Sequence, residues 1–222
     1  MGLRATGGMA PRAAGASSSA VSSASGLSGS ASGSVSVSAS SASGSASSSG
    51  SADARIARVA GAGGVAGELG HTKVIPNGRR CGCGELGCLE AYAGGHNLIA
   101  QARELLAAGR STVLAEMIEG DPSRITPLTI EHAADAGDAG AREIHERAGQ
   151  MLGMAIANMV TVLNPARLII GGGVLMHCPG IRRYVVEGVQ ALASNTSREG
   201  LLIAEAELGD DSGLIGAGLL AA

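Results

Sequence analysis

The chain has 222 residues, 45% of them hydrophobic, and a formal charge of −3 from 16 Lys and Arg against 19 Asp and Glu. Residues 1–52 carry only Arg4 and Arg12, so from Asp53 onward 14 basic residues face 19 acidic ones, a balance of −5. With no basic patch, and with Tyr92 and Tyr184 as the only aromatics, that part lacks the stacking platforms and positive footprint of a nucleic-acid binder; nor is any run long and apolar enough to span a bilayer.

Residues 1–52 are almost wholly Ser, Gly and Ala. Such a segment has too little to bury to offset its backbone entropy, and it reads as a disordered low-complexity tail. Its basic, acid-free, Ser-rich character also fits an organelle transit peptide, and a misread gene start would give the same composition. The folding unit is then residues 53–222, with a core built from Leu, Ile, Val, Ala and Met.

Along that unit, residues 54–60 alternate as a short strand does, and residues 72–75 form a second strand closed by the turn Pro76-Asn-Gly78. Residues 88–108 carry Leu98, Ile99, Ala102, Leu105 and Leu106 at helical spacing, with Gly109 as a stop. A short helix is expected over 111–120, and another over 130–136 capped by Thr129. The longest helix covers 138–163, where a broad apolar face ends at Asn164-Pro165. Gly149, Gly153, Ala155 and Ala157 on it permit a neighbouring backbone to approach closely. Arg167–Ile170 is a buried strand opening onto Gly171–Gly173. A helix over 180–193, a strand over 201–206 and an Ala/Gly/Leu helix from about 211, capped by Asp210 or Asp211, complete the chain. Strands alternating with helices indicate an α/β fold.

The chemistry concentrates in Glu68-Leu-Gly-His71 and Cys81-Gly-Cys83-Gly-Glu-Leu-Gly-Cys88-Leu-Glu90. Three thiolates and an imidazole within eighteen residues suit tetrahedral Zn²⁺ with no position left for water, so the metal is structural. Gly82, Gly84 and Gly87 let the loop fold back on one ion. Reduced, unliganded thiols or a disulfide are the competing readings, although a Cys81–Cys83 bridge is strained by its spacing and leaves one cysteine over. Cys178 reads as a free thiol in a loop. Four cysteines without a disulfide framework favour a reducing, cytoplasmic setting.

Gly67-Glu-Leu-Gly-His71, the Cys81-x-Cys83-x4-Cys88-x-Glu90 loop, Asn164-Pro165 ahead of Leu168-Ile-Ile-Gly-Gly-Gly173, and the ending Leu208-Gly-Asp-Asp-Ser-Gly-Leu-Ile-Gly-Ala217 together resemble the ROK family. That family holds bacterial-type glucokinases, other sugar kinases and sugar-responsive repressors. The resemblance covers Asp53 to the C-terminus and implies an actin-like ATPase (ribonuclease H-like) fold, here mainly its C-terminal lobe, with sugar and ATP meeting between two lobes. It implies that Glu68, His71 and Glu90 hydrogen-bond the hydroxyls of a hexose, His71 while its other ring nitrogen binds zinc. Gly171, Gly172 and Gly173 would lie against the nucleotide, with Mg²⁺ accompanying ATP. Solvated surface charge remains the plain alternative for Glu68 and Glu90, and a tight strand-to-helix turn for the glycines.

Three family features have no match in the sequence: the Asp-x-Gly-x-Thr phosphate loop, the Asn-Asp pair whose aspartate is the base for the sugar hydroxyl, and the second glycine-rich phosphate motif that follows that pair. Losing a base alone costs on the order of 10²–10⁴ in rate, so the chain as written is expected to be a sugar-kinase relative without turnover, and no catalytic residue is assigned. Two other functions compete with this one. A ROK-type repressor would need a helix-turn-helix, and residues 1–52 offer no basic amphipathic helix for it. A zinc-stabilised interaction module would use its helices for homodimerisation; a homodimer is the expected association state in any case.

Overall fold

A computed structural model describes residues 61–63, 65–110 and 113–221. The strand expected over 54–60 and the tail over 1–52 lie outside the described residues.

Helix α1 (Glu90–Ala93) and helix α2 (Gly95–Ala107) replace the single helix expected over 88–108. The break is Gly94, whose backbone is extended at φ −67°, ψ 141°; paired glycines are a common cause of such breaks. Two carbonyls of α1 are met from α2: Asn97 Nδ2 donates at 2.9 Å to Glu90 O, which also accepts from Gly94 N, and Gln101 Nε2 donates to Tyr92 O at 3.1 Å. Helix α3 (Val113–Met117) is shorter than the expected 111–120. Helix α4 (Pro127–Asp135) starts three residues before the expected one, because Thr126 is its cap and Thr129 lies inside the first turn. The two threonines form a reciprocal capping box, Thr129 N donating to Thr126 Oγ1 and Thr126 N to Thr129 Oγ1, with Pro127 at the first position.

Helix α5 (Ala139–Leu163) matches its expected extent. Asp138 caps it by accepting from Gly140 N at 3.0 Å and Ala141 N at 2.9 Å. Asn164 closes it in the left-handed region at φ 44°, its N–H donating to Val160 O, and Pro165 prevents continuation. Strand β1 (Arg167–Ile170) follows, then helix α6 (Gly173–His177), which the sequence did not announce, helix α7 (Pro179–Leu192), helix α8 (Asn195–Arg198) and strand β2 (Leu202–Glu205). The strands pair in parallel, Arg167 with Leu202 through Ile170 with Glu205, across the helical crossover. Asp210 and Asp211 lie in a 3₁₀ turn ahead of helix α9 (Ser212–Ala221), which leaves Leu214 and Leu219 77% and 70% exposed. Residues 72–75 are not a strand. Lys73 pairs with Cys88 in a single antiparallel bridge, because Val74 N and Ile75 N both donate to the one carbonyl of Gly87 and the ladder stops there.

α5 is the central beam, and its broadest contact is with α7. A Cβ on Gly149 would stand 2.5 Å from Tyr184 Cβ, and one on Gly188 only 2.8 Å from Gly153 Cα, so the two helices meet on bare backbone as expected. One polar pair crosses this apolar packing. His145 on α5 and Glu131 on α4, both buried, lie Nε2 to Oε2 at 2.7 Å, and Glu131 Oε1 accepts from Gly180 N at 3.0 Å in the first turn of α7. Cys178 sits beside them, a free thiol in the link between α6 and α7 as expected, yet fully buried; burial, reinforced by the Glu131 carboxylate, pushes its thiol up to about 12.

Glu131→Ala would leave His145 and the Gly180 N–H without partners, and is expected to lower the unfolding free energy by about 3–5 kcal/mol in urea denaturation. Glu131→Leu with His145→Leu should lose clearly less, since neither buried side chain is then left as an unpartnered polar group.

Candidate functional site

The site is assembled by the chain folding back between residues 69 and 90. Leu69–His71 forms a 3₁₀ turn anchored by buried Leu69, and Thr72 locks its exit, donating from N and from Oγ1 to Leu69 O. Leu89 N donates to Thr72 O and Gly87 N to Arg79 O, which draws the start of α1 against the turn that carries His71. Gly87 is indispensable to this closure. It adopts φ 76°, and a Cβ there would fall 1.8 Å from Ile75 O. Gly82 needs no such freedom, since its φ is ordinary and its surroundings are open. Tyr92, which no sequence motif singles out, pegs the loop: its hydroxyl accepts from Arg79 N at 2.7 Å in the space left by Gly78.

The fold brings His71, Cys81, Cys83 and Cys88 together, with one nitrogen and three sulfurs all within 4.8 Å of one another, a group able to hold a metal ion. Cys81 Sγ lies 3.8 Å from His71 Nδ1, and Cys83 Sγ lies 3.7 Å from Cys88 Sγ. Cys81 and Cys88 are buried, whereas Cys83 and His71 face outward. All four cysteines of the chain are free thiols. Burial pushes the Cys81 thiol up to about 11, while a backbone hydrogen bond from Glu85 holds the Cys83 thiol below its ordinary value. Lys73 Nζ donates to Cys88 Sγ at 3.1 Å, and that bond holds the Lys73 ammonium above its ordinary range. Neither Lys73 nor Tyr92 was legible as part of the site, because each acts through a cross-chain contact that only the closed loop creates.

A cavity of about 330 Å³ opens beside this cluster, at the small end of the ~300–1,000 Å³ typical of ligand sites. Glu68, His71, Glu90, Gly171 and Gly172 all line it, joined by an apolar wall that includes Leu152 and Leu175. Residues remote from one another in sequence thus share one surface. Gly173 is the exception, since it begins α6 and does not line the cavity. Gly172 precedes it at φ 94°, and Gly171 lies against the Ala206 methyl, where a Cβ would come to 3.0 Å. Glu90 Oε2 stands 3.5 Å from both His71 Nδ1 and Cys81 Sγ, and Glu68 Oε2 stands 3.8 Å from His71 Nε2. With side-chain exposures of 28% for Glu90 and 63% for Glu68, Glu90 is the sheltered carboxylate and Glu68 the one open to solvent at the rim.

A model of the ROK family matches residues 53–222. A glucokinase of Halalkalibacterium halodurans is 36% identical over 162 residues, which are 72% of this chain and 48% of that protein. Among solved structures, a ROK family glucokinase from Streptomyces griseus in complex with glucose and AMPPNP superposes with a TM-score of 0.59 at 31% identity, over 71% of this chain and 51% of that one. A ROK family transcriptional regulator, a homolog of the E. coli MLC protein, gives 0.55 at 29% identity over 66% of this chain and 36% of its own. The chain spans about half the length of the curated relatives it matches.

Gly87→Ala is expected to cost at least about 2 kcal/mol, from the left-handed backbone and the clash with Ile75 O, and to speed tryptic cleavage after Arg79 and Arg80. Gly82→Ala, in open space with ordinary φ, should stay within about 0.5 kcal/mol of the parent; thermal unfolding of the pair reads the difference.

Proposed function

The chain belongs to the ROK family and shares the actin-like ATPase fold of its sugar kinases, and on that footing we propose that it is the sugar-recognising part of an ATP-dependent hexose kinase, built around a structural Zn²⁺. The observation that carries this reading is the placement of two carboxylates and one imidazole on a single cavity wall, held there by the cysteine loop.

The donor set supports zinc. A tetrahedral centre with Zn–S of about 2.3 Å and Zn–N of about 2.0–2.1 Å places its ligand atoms about 3.6–3.8 Å apart, and the Cys83–Cys88 and Cys81–His71 separations are 3.7 and 3.8 Å. Four protein ligands leave no site for water or substrate, so the ion orders the loop and takes no part in chemistry. His71 turns Nδ1 toward the sulfurs and Nε2 toward Glu68 and the cavity. With Nδ1 on the metal, Nε2 carries the proton and donates to a sugar oxygen. Glu90 and Glu68 accept from sugar hydroxyls. A site whose buried polar groups are matched by hydroxyls rejects molecules that lack them.

ATP with Mg²⁺ supplies the phosphoryl group in this reaction class, and catalysis is largely positioning and charge stabilisation. This chain's part is recognition and orientation: Gly171 and Gly172 present bare backbone at the cavity wall facing the nucleotide, while Glu90, fixed by the loop, orients the hexose. The exposed Leu214 and Leu219 of α9 are consistent with association, for which we propose a homodimer. The likeness to a ROK transcriptional regulator favours a second reading, the sugar-sensing part of a repressor; it would use the same sugar site and differ in binding operator DNA.

Glucose titrated calorimetrically into the zinc-replete chain tests the proposal. Glu90→Gln should weaken binding about 10- to 100-fold, the worth of a hydrogen bond to a charged group, with zinc content unchanged. Cys83→Ala should lower both zinc content and sugar affinity. Full glucose affinity in Glu90→Gln would remove the carboxylate from the site.

A further inference from the structure

Resting on the zinc reading, we infer that Lys73 is the charge partner of the metal loop: its ammonium holds the Cys88 thiolate from outside the ligand set and makes the loop retain its ion. Zn²⁺ with three thiolates and a neutral imidazole carries one net negative charge. Half of that ligand shell is withdrawn from water, for Cys81 is 3% and Cys88 0% exposed. A buried anionic sulfur requires a partner, and Lys73 Nζ provides it, donating to Cys88 Sγ at 3.1 Å.

The backbone fixes this contact. Lys73 and Cys88 face one another in the isolated antiparallel bridge, so their side chains leave it on the same side, as cross-strand pairs do. Glu85 holds the ammonium from the other side, Oε2 lying 3.8 Å from Nζ. Lys73 does not line the sugar cavity, and an ammonium has no lone pair to offer a metal. It acts only through Cys88, as a positioning residue.

The sign of the effect follows from the charge of the loaded loop. The ion with three thiolates and a neutral imidazole is anionic, and the ammonium 3.1 Å from Cys88 Sγ meets that charge. A partner that steadies a ligand from the outer shell strengthens the metal site, so Lys73 tightens zinc binding. Outer-shell partners of metal ligands are worth 10–100-fold in affinity. The Lys73 side chain is 44% exposed, which puts the effect at the lower end, about 10-fold.

The test is zinc affinity of the full chain, measured by competition with a chromogenic chelator at low salt and at about 1 M salt, where the screening length falls to about 3 Å. Lys73→Met is expected to bind zinc about 10-fold more weakly at low salt, Lys73→Arg to recover most of the loss, and the gap between parent and Lys73→Met to narrow at high salt. Zinc-saturated Lys73→Met should bind glucose like the parent. Unchanged zinc affinity in Lys73→Met overturns the inference. So does a loss that neither arginine nor salt alters, for that would be a packing effect. Zinc affinity retained by Cys83→Ala would instead bring down the ligand assignment itself, and Lys73 with it.

Discussion

Everything at the site depends on one closure, the return of residues 86–89 onto residues 72–79. It is made from few bonds: Gly87 O takes two amides, Gly87 N reaches Arg79 O, and Leu89 N reaches Thr72 O. Those bonds set the distance from His71 to the cysteines and the angle at which α1 departs, and α1 begins with Glu90. The cluster of His71 with the three cysteines and the cavity carboxylate Glu90 are therefore not two features that happen to adjoin. They are two faces of one folded-back segment, and a shift in either is felt by the other. A closure this short, with little apolar area of its own, is the kind of structure that a metal stabilises more effectively than packing can.

The remainder of the molecule serves as footing for that segment. Tyr92 and Leu89 sink into the core beneath it, and α5 runs under both α1 and α7. In a chain without Phe or Trp, large side chains cannot fill gaps, so the helices approach on glycine and alanine instead. The buried Glu131–His145 pair then ties α4, α5 and the first turn of α7 together. Because α6 and α7 follow directly from Gly171 and Gly172, this pair also steadies the far wall of the cavity.

Features written in local signals were legible in the sequence. A broad apolar stripe ended by Asn164-Pro165 bounded α5 to within a residue, and Arg167–Ile170 with its glycines marked β1. The cysteine spacing drew His71, Cys81, Cys83 and Cys88 into one group, and five of the six residues expected to touch sugar or nucleotide line the cavity. What stayed hidden depended on partners remote in sequence. The break at Gly94 is stable because Asn97 and Gln101 turn back to satisfy α1, which helical spacing does not express. Residues 72–75 have strand composition, yet a doubly used carbonyl limits them to one bridge. Thr126 outcompeted Thr129 as a cap because Pro127 had already fixed the first helical position.

The glycine seam between α5 and α7 bears on how such a protein can change over generations. At Gly149, Gly153 and Gly188 even a methyl group must push one helix away from the other. α7 begins just beyond the short helix that leaves the cavity's glycine turn, so a displacement at the seam is transmitted to the cavity wall at Gly171 and Gly172. A lineage or a laboratory selection seeking a wider pocket therefore need not touch a residue that meets the ligand. Single steps from glycine to alanine along the seam would reshape the wall from behind, leaving the cysteine loop and the carboxylates beside it as inherited.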